Sequence, residues 1–284
     1  MTLPSIAQHA KSHDIVPDKK LGQNFLFDLS LCDKIAKTSG NIKNKIVLEV
    51  GPGPAGLSRA ILASNPAKLI VIEKDQRCIA LLEEIKTYFP QLEIMSADAL
   101  NVKLSSLGSS KITLISNLPY NIGTELLFRW LDEVEYIESI TVMLQKEVVD
   151  RICAKVGSKA YGKLSIMCQL ICDVEKEFDI SPAAFYPPPK VTSSIVRLVP
   201  KATQHSQKII DSIRKITSLA FNQRRKMLRS SLKTLISENI LEKCGIDPQD
   251  RAENLSVDDY VRLATEAIFH LQNVIPAKAG IQSL

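Results

Sequence analysis

Several features that mark common protein classes are missing from this 284-residue chain. It has six cysteines but no C-x-x-C pair, and its four histidines are scattered, so the sequence indicates neither a zinc site nor a disulfide framework. The N-terminus lacks the apolar core of a signal peptide, and no apolar run reaches membrane-spanning length. These absences argue against a secreted, membrane-bound or metal-dependent protein, and they favour a cytoplasmic protein in a reducing compartment.

Acidic residues are also missing from one long segment. The net charge of +5 is too small to indicate a partner, but no Asp or Glu occurs between Asp211 and Glu238. The cations of this segment are Arg214, Lys215, Arg224, Arg225, Lys226, Arg229 and Lys233. If the apolar residues of this segment form the buried side of helices, these cations lie on the exposed side. The segment therefore predicts a basic helical surface that binds RNA phosphates. The candidate contacts are Arg224, Arg225, Lys226 and Arg229. A solvated helix face is the alternative.

A strand, a glycine loop and a helix follow one another near the start of the chain. The apolar run 45–50 predicts a buried strand, which leads into a loop that begins at Gly51, and a helical stretch follows at 57–62. Glycines let a backbone approach a ligand closely. A second predicted strand ends in Glu73, 22 residues after Gly51, which is near the spacing at which an acid binds ribose hydroxyls. The segment therefore predicts a ligand with a ribose that Glu73 binds.

The loop glycines at 51, 53 and 56 also match the G-x-G-x-x-G pattern of dinucleotide-binding enzymes. Two acids favour a different ligand: Glu49 precedes the first glycine by two residues, and Asp98 follows the third apolar run. A pyrophosphate prefers a helix N-terminus without a crowd of carboxylates, whereas S-adenosylmethionine has a ribose and a cationic sulfonium for acids to bind. The acids therefore favour S-adenosylmethionine, although Asp98 alone is equally typical of a turn cap.

The tetrapeptide Asn117-Leu118-Pro119-Tyr120 directly follows the apolar run 112–116. The Asn117 side-chain oxygen and a nearby main-chain carbonyl can both accept hydrogen bonds from an exocyclic amine. Pro119 fixes φ, and Tyr120 offers a ring on which a base can stack. Together these roles predict a site that holds the amino group of adenine. The same residue types also suit an ordinary turn at the end of a strand.

Taken together, the motifs resemble the KsgA-type dimethyltransferases, which convert two adjacent adenosines of small-subunit rRNA to the N6,N6-dimethyl form. The resemblance leaves out only the two ends of the chain. The family usually has Gly where this chain has Ala55, and often Thr where it has Ser58. The segments that carry the resemblance are 19–26, 51–56, 117–120, 144–148, 158–165, 185–191, 221–229 and 251–256.

The resemblance implies a role for particular residues. It implies that S-adenosylmethionine is bound by Asn24, Leu26, Gly51, Glu73, Asp98 and Asn117. The expected catalytic residues are Asn117, Pro119 and Tyr120. Phe185 is a candidate to stack on the other face of the target base, and the alternative is that this aromatic residue near three prolines closes the core. The implied partner is rRNA within the immature small ribosomal subunit, and the implied oligomeric state is a monomer.

The order of apolar runs predicts an α/β fold. Runs at about 46–50, 68–72, 92–95, 112–116 and 140–144 alternate with helical stretches, which is typical of a largely parallel sheet covered by helices. The resemblance implies that this is a Rossmann-like S-adenosylmethionine-dependent methyltransferase sheet followed by a smaller all-helical C-terminal domain. The expected ranges are 1–200 for the cofactor-binding domain, 201–272 for the helical RNA-binding domain and 273–284 for a disordered tail.

Two other functions are compatible with the same motifs. A large-subunit rRNA adenine methyltransferase shares the cofactor motifs and a similar tetrapeptide, but the segment 158–165 and the basic residues 224–226 favour the small-subunit family. A non-catalytic binding protein for ribosome assembly or transcription would keep the fold without catalysis. The intact series of cofactor residues argues against that loss of activity.

Overall fold

The computed structural model describes residues 3–18 and 22–274, and the chain divides into two compact units. The first unit contains Met1–Val149 and Cys172–Pro200, and the second contains Asp150–Ile171 and Lys201–Leu284. The boundary predicted at residue 200 placed residues 150–171 in the first domain, whereas they belong to the second unit. The predicted tail from residue 273 begins inside a helix that ends at Val274, and the rest of it lies outside the described residues.

Within the described residues, a seven-stranded sheet forms the centre of the first unit. The strands of the chain are β1 (Phe25–Leu26), β2 (Ile46–Val50), β3 (Lys68–Glu73), β4 (Leu92–Ser96), β5 (Ile112–Asn117), β6 (Ile137–Gln145), β7 (Cys172–Ile180), β8 (Phe185–Tyr186) and β9 (Ser193–Pro200). The sheet order is β4-β3-β2-β5-β6-β9-β7. The strands from β4 to β6 are parallel, and β9 and β7 are antiparallel to their neighbours. The short strands β1 and β8 form a separate antiparallel pair.

The parallel strands β2, β3 and β5 are buried along nearly their whole length because helices cover the sheet. Val47 and Leu48 in β2 and Leu114 in β5 are fully buried, as expected for strands without a solvent-facing side. The five strands predicted from the apolar runs are all present, and their observed ends differ by at most three residues. The predicted α/β fold is confirmed.

Two helices of the first unit begin where an aspartate side chain caps them. The helices are α1 (Ile6–Ser12), α2 (Leu29–Thr38), α3 (Gly56–Ala63), α4 (Gln76–Tyr88) and α5 (Gly123–Asp132), and α6 (Lys146–Ile152) contains the boundary between the units. The Asp28 carboxylate accepts hydrogen bonds from the first backbone amides of α2, and Asp75 does the same for α4. Such caps stabilise a helix start by about 1 kcal/mol.

Helix α1 is fixed to α3 and α4 by a cluster of charged side chains. Arg59 on α3 donates to the Pro4 carbonyl at 2.6 Å and approaches His9 Nδ1 at 2.5 Å. Nε2 of His9 and Nε2 of His13 each lie 3.0 Å from Glu84 Oε2 on α4. The guanidinium needs an acceptor at His9 Nδ1, so the His9 proton is on Nε2 and faces Glu84. This arrangement favours a hydrogen-bonded cluster over a metal site, because a metal ion would need the His9 nitrogen that carries the proton.

The second unit is helical, and it includes the segment that the predicted boundary placed in the first. Its helices are α7 (Lys163–Ile171), α8 (Gln207–Asn222), α9 (Leu228–Ser231), α10 (Glu238–Lys243) and α11 (Val257–Val274). Residues 150–171 belong here because they bond to the rest of the unit: Lys163 Nζ donates to Ser218 Oγ at 2.8 Å, and the Gly157 amide donates to the Glu253 carbonyl at 2.8 Å. Across the described residues of the chain, no helix is both long enough and apolar enough to cross a membrane.

Candidate active site

A large cleft opens at the carboxyl edge of the parallel strands in the first unit. The sheet order reverses between β2 and β5, and ligands of open α/β sheets bind beside such a reversal. The empty space of the cleft, with its open mouth included, is about 970 Å³. All the predicted cofactor and catalytic residues line it: Asn24, Leu26, Gly51, Glu73, Asp98, Asn117, Pro119 and Tyr120.

The glycine loop after β2 forms the floor of the cleft. Gly51 and Gly53 have φ values of +67° and +54°, in the left-handed region where a side chain is strained. A Cβ on Gly53 would lie 3.1 Å from the Phe25 ring, so the loop packs directly against β1. A Cβ on Gly56 would lie 2.8 Å from the Leu26 carbonyl oxygen, which is too close for any side chain. The loop therefore fixes the position of β1, whose two residues both line the cleft.

Ala55 differs from the glycine that is usual in the family, and the structure shows where its methyl group goes. Its φ of 64° and ψ of 27° are left-handed, which costs an L-residue about 1–2 kcal/mol. Its side chain is fully buried and belongs to the hydrophobic core rather than to the lining of the cleft. The additional methyl group therefore takes no space from a ligand.

Glu73 stands at the end of β3 with its carboxylate held by the backbone. Oε1 accepts hydrogen bonds from the amides of Lys74 and Asp75 at 2.8 and 2.9 Å, and Oε2 accepts from Gly53 at 3.2 Å. A carboxylate has about four acceptor positions, so these three bonds leave capacity for a ligand hydroxyl. The carboxylate is thus oriented in advance at the position predicted to bind a ribose.

Glu49 also lines the cleft. Its place two residues before Gly51 was used to favour S-adenosylmethionine, but Glu49 was not among the six residues predicted to bind the cofactor. It is 1 % exposed, and Ser58 Oγ donates to its Oε2 at 2.6 Å. Burial raises the pKa of Glu49 to about 8, the Ser58 hydrogen bond acts in the opposite direction, and the nearby Glu73 charge raises it further. The carboxyl is therefore largely protonated at neutral pH, and a cationic ligand favours its ionised form.

Asp98 caps a turn and also lines the cleft, so its cap does not exclude the predicted cofactor role. Its Oδ1 accepts a hydrogen bond from the Leu100 amide at 3.0 Å and so caps the 3₁₀ turn Ala99–Asn101. The residue also lines the cleft, just beyond the end of β4. A cap uses one carboxylate oxygen, and the second one gives the group further acceptor capacity for a ligand.

The other wall of the cleft comes from the segment before α2. Asn24 donates through Nδ2 to the Gly22 carbonyl at 3.3 Å, which orients its amide oxygen as the remaining acceptor. Leu26 is 5 % exposed and pairs with Phe185 across the β1–β8 ladder. The neighbouring residues 19–21, which belong to the same motif, lie outside the described residues.

The tetrapeptide after β5 has a carbonyl group, that of Leu118, which follows Asn117 in the chain and lines the same cleft. The Leu118 amide donates to the Met143 carbonyl at 3.3 Å, and the Pro119 carbonyl accepts from the amides of Ile122 and Gly123 at 3.2 and 3.0 Å. Within the described part of the chain, no donor is bonded to the Leu118 carbonyl. The Leu118 carbonyl is therefore available to an amine, whereas the Pro119 carbonyl is already bonded within the turn. The catalytic roles of Asn117, Pro119 and Tyr120 stay predictions.

Tyr120 is fixed in place by its hydroxyl group. Tyr120 Oη and Ser193 Oγ on β9 share a hydrogen bond of 2.6 Å. Burial raises the pKa of Tyr120, and the Ser193 hydrogen bond partly opposes that shift. The residue is half-buried, so its ring has both a fixed position and a surface toward the cleft.

Two residues predicted to contact RNA occupy positions that do not match that role. Phe185 is 5 % exposed and belongs to the hydrophobic core, so its ring would have to leave the core to stack on a base. Arg224 is bound within the second unit, because its Nε donates to Glu253 at 3.1 Å and its Nη2 donates to the Ser158 carbonyl at 3.3 Å. Arg224 therefore joins three segments of the helical unit.

The remaining predicted RNA contacts are exposed. Arg225, Lys226 and Arg229 all present their side chains to solvent. The prediction that residues 224–226 form a helix is wrong, because residues 223–226 make a turn between α8 and α9. The turn places two exposed cations on a loop of the second unit, and Arg229 follows in the first turn of α9.

This chain is similar to known proteins along most of its length. A family model described as Ribosomal RNA adenine dimethylase matches residues 17–268. The curated protein Ribosomal RNA small subunit methyltransferase A of Mesorhizobium japonicum is 46 % identical over 271 residues, which cover 92 % of this chain and 97 % of that protein. The protein of the same name from Chelativorans sp. is 47 % identical over 270 residues, covering 93 % and 98 %.

Two solved structures are also similar to this chain. A dimethyladenosine transferase from Plasmodium falciparum superposes with a TM-score of 0.75 at 26 % identity, covering 88 % of this chain and 98 % of that one. The 23S rRNA methyltransferase ErmE superposes with a TM-score of 0.69 at 24 % identity over 86 % and 100 % of the two chains, which shows a shared fold. Because the family model spans most of the chain and the curated relatives are well over 40 % identical to it, the chain belongs to the ribosomal RNA adenine dimethylase family.

Proposed function

We propose that this protein uses S-adenosylmethionine to dimethylate the N6 amines of two adjacent adenosines in small-subunit (16S) rRNA during assembly of the 30S subunit. The observation that carries the proposal is that Asn117 and Leu118, whose carbonyl has no described donor, both line the cleft at the carboxyl edge of the sheet. The names of the curated relatives support the small subunit as the substrate.

The chemistry of the cleft suits S-adenosylmethionine. Glu73 is oriented for the ribose, the left-handed glycines of the loop allow close approach of a ligand, and Glu49 is a buried carboxyl without a described cationic partner. The proposed binding residues are Asn24, Leu26, Gly51, Glu73, Asp98 and Asn117. When bound, the cofactor supplies a methyl group made electrophilic by its sulfonium charge.

The tetrapeptide holds the adenine amine. The Asn117 side-chain oxygen and the Leu118 carbonyl accept its two N–H bonds, which draws the nitrogen toward tetrahedral geometry and directs its lone pair into the cleft. Tyr120 stacks on the base, and its hydrogen bond to Ser193 keeps the ring in place. Orientation of this kind supplies much of the rate acceleration in a displacement between two bound groups.

The reaction needs no strong base. The amine nitrogen becomes acidic only after it has been alkylated, and water can then accept its proton. We therefore assign no general base and no metal ion to the mechanism. After the first transfer the amine keeps one N–H, so either the Asn117 side chain or the Leu118 carbonyl can still accept a hydrogen bond from it and orient the nitrogen for the second transfer.

The cellular context follows from the substrate. We propose that the enzyme acts in the cytoplasm as a monomer, and that its partner is rRNA within the immature small ribosomal subunit. Arg225, Lys226 and Arg229 are the proposed phosphate contacts of the second unit.

Transfer of labelled methyl groups from S-adenosylmethionine tests the function. The substrates to compare are undermethylated small subunits, large subunits and naked rRNA, each with the wild type and with Asn117→Ala. We expect dimethyladenosine only on the small subunit and its loss in the variant. Transfer to large subunits alone would identify a large-subunit enzyme, and cofactor binding without transfer to any substrate would identify a binding protein.

A further inference from the structure

Tyr186 is an exposed aromatic residue next to a buried one. Its side chain is 61 % exposed, whereas that of Phe185 is 5 % exposed. The two residues form β8, and in a strand successive side chains point to opposite faces. Burial of Phe185 in the core therefore directs the Tyr186 ring outward, and no part of the mechanism above uses that ring.

The Tyr186 ring is braced by the wall of the cleft. Tyr186 pairs with Phe25 across the β1–β8 ladder, and Phe25 lines the cleft. The rings of Phe25 and Phe27 have centroids 6.2 Å apart, and the Phe27 and Tyr186 rings are also 6.2 Å apart. Edge-to-face and tilted contacts at such distances are favourable for aromatic rings. The three rings thus form a continuous row from the glycine loop to the surface.

The loop that follows Tyr186 leads directly to the catalytic tetrapeptide. It contains three successive prolines at 187–189 and reaches Ser193, whose hydroxyl group bonds with Tyr120. The Thr192 carbonyl accepts a further hydrogen bond from the Lys146 amide at 2.9 Å. Proline removes conformational freedom from the chain, so this loop is held at both ends and loses little entropy when a ligand binds.

The same loop carries a cation. Lys190 is exposed, and within the described part of the chain it has no ion-pair partner. Val191 beside it is 42 % exposed. An exposed aromatic ring and an unpaired cation on one rigid loop are the groups that bind a base and a phosphate of single-stranded nucleic acid.

We infer that Tyr186 and Lys190 bind the nucleotide next to the target adenosine, with the Tyr186 ring stacked on its base and the Lys190 ammonium on its phosphate. This inference rests on the proposed function. RNA is a continuous chain, so when one base is bound beside Tyr120 the neighbouring nucleotides must lie close to it. The loop that ends at Ser193 lies next to Tyr120, so we expect it to contact one of these neighbours. Because the two target adenosines are adjacent, the nucleotide bound by Tyr186 is the second target while the first is being methylated. While the second is being methylated, that nucleotide is the first target, which has already left the cleft.

A set of variants of the full chain tests this inference on undermethylated small subunits. For Tyr186→Ala we expect the KM for subunits to rise about tenfold and the product to shift toward subunits with one dimethylated adenosine, because stacking on an aromatic ring contributes to the affinity for each base. Tyr186→Phe keeps the ring and should restore the wild-type values. Lys190→Gln should raise KM and reduce its dependence on salt.

The controls separate this inference from the proposed function. Tyr88→Ala removes a tyrosine that is also exposed, at 41 %, from the end of α4 and should change nothing. Affinity for S-adenosylmethionine, measured by calorimetry, should be unchanged in every variant. An active wild type with an unaffected Tyr186→Ala variant would overturn this inference alone. A wild type that transfers no methyl group to RNA would overturn the proposed function and this inference with it.

Discussion

Glu49 is the residue whose charge depends most on the state of the cleft. Burial raises its pKa from the usual 4.5 to about 8, so the folded protein binds this proton more tightly than the unfolded chain does. The free energy of unfolding should therefore fall as the pH rises from about 4.5 to about 8. We predict that Glu49→Gln removes this decrease, so that the ligand-free variant is more stable than the wild type at pH 9 and no more stable at pH 4. Urea unfolding at both pH values measures the difference.

The same variant has a second readout in cofactor binding. A cationic ligand favours the ionised carboxylate, so the affinity of the wild type for S-adenosylmethionine should increase between pH 6.5 and 8.5, while that of Glu49→Gln should stay nearly constant. The neutral product, S-adenosylhomocysteine, should show a weaker pH dependence in the wild type. An equal pH dependence for both ligands would show that Glu49 does not respond to the sulfonium charge.

Asn117 should matter far more for the rate than for folding. We predict that Asn117→Ala lowers kcat by about 10²–10³-fold, the usual loss when one oriented hydrogen-bonding group of an active site is removed. Tyr120→Phe is the matched control, because it keeps the ring and loses only the hydrogen bond to Ser193. Single-turnover rates at saturating cofactor measure both effects. If Asn117→Ala kept wild-type kcat, the amine would be held by other groups.

At the scale of elements, the contact between the glycine loop and β1 determines the shape of the cleft. A methyl group on Gly56 would lie 2.8 Å from the Leu26 carbonyl, and a backbone atom can yield only if β1 moves. We predict that Gly56→Ala destabilises the fold by about 1–3 kcal/mol and weakens cofactor binding. Gly162→Ala is the control, because its new methyl group would meet Phe221 at an ordinary 3.8 Å. Equal thermal stability of the two variants would contradict this view of the loop.

Elements were predictable where local pattern determines them. The apolar runs identified the parallel strands to within a few residues, and the acids and Asn117 at the strand ends were recognisable because parallel strands bring their carboxyl ends together. The burial of Phe185 was not predictable, because it depends on pairing between β8 and β1 across 160 residues of sequence. The binding of Arg224 within the second unit was not predictable either, because its partners Glu253 and Ser158 are distant from it in sequence. Arg224 was therefore predicted to contact RNA.

At the scale of the whole molecule, RNA affinity should depend on the exposed cations of the second unit. We predict that replacing Arg225, Lys226 and Arg229 together with Ala weakens binding to small subunits and lowers the salt dependence of that binding, because fewer counterions are released. Arg224→Ala should instead reduce the stability of the helical unit. Lys208→Ala is the control, since it removes an exposed cation from α8 outside the acid-free segment. Binding curves at several salt concentrations distinguish these outcomes.

The most direct test of the proposed function is the amount and position of N6,N6-dimethyladenosine in small-subunit rRNA after reaction with the purified protein. We predict two dimethylated adenosines per subunit, adjacent in sequence, after complete reaction of undermethylated small subunits with S-adenosylmethionine. Mass spectrometry of nuclease fragments gives both the number and the position of the methyl groups. Monomethyladenosine as the final product, or dimethyladenosine at separated positions, would contradict the proposal.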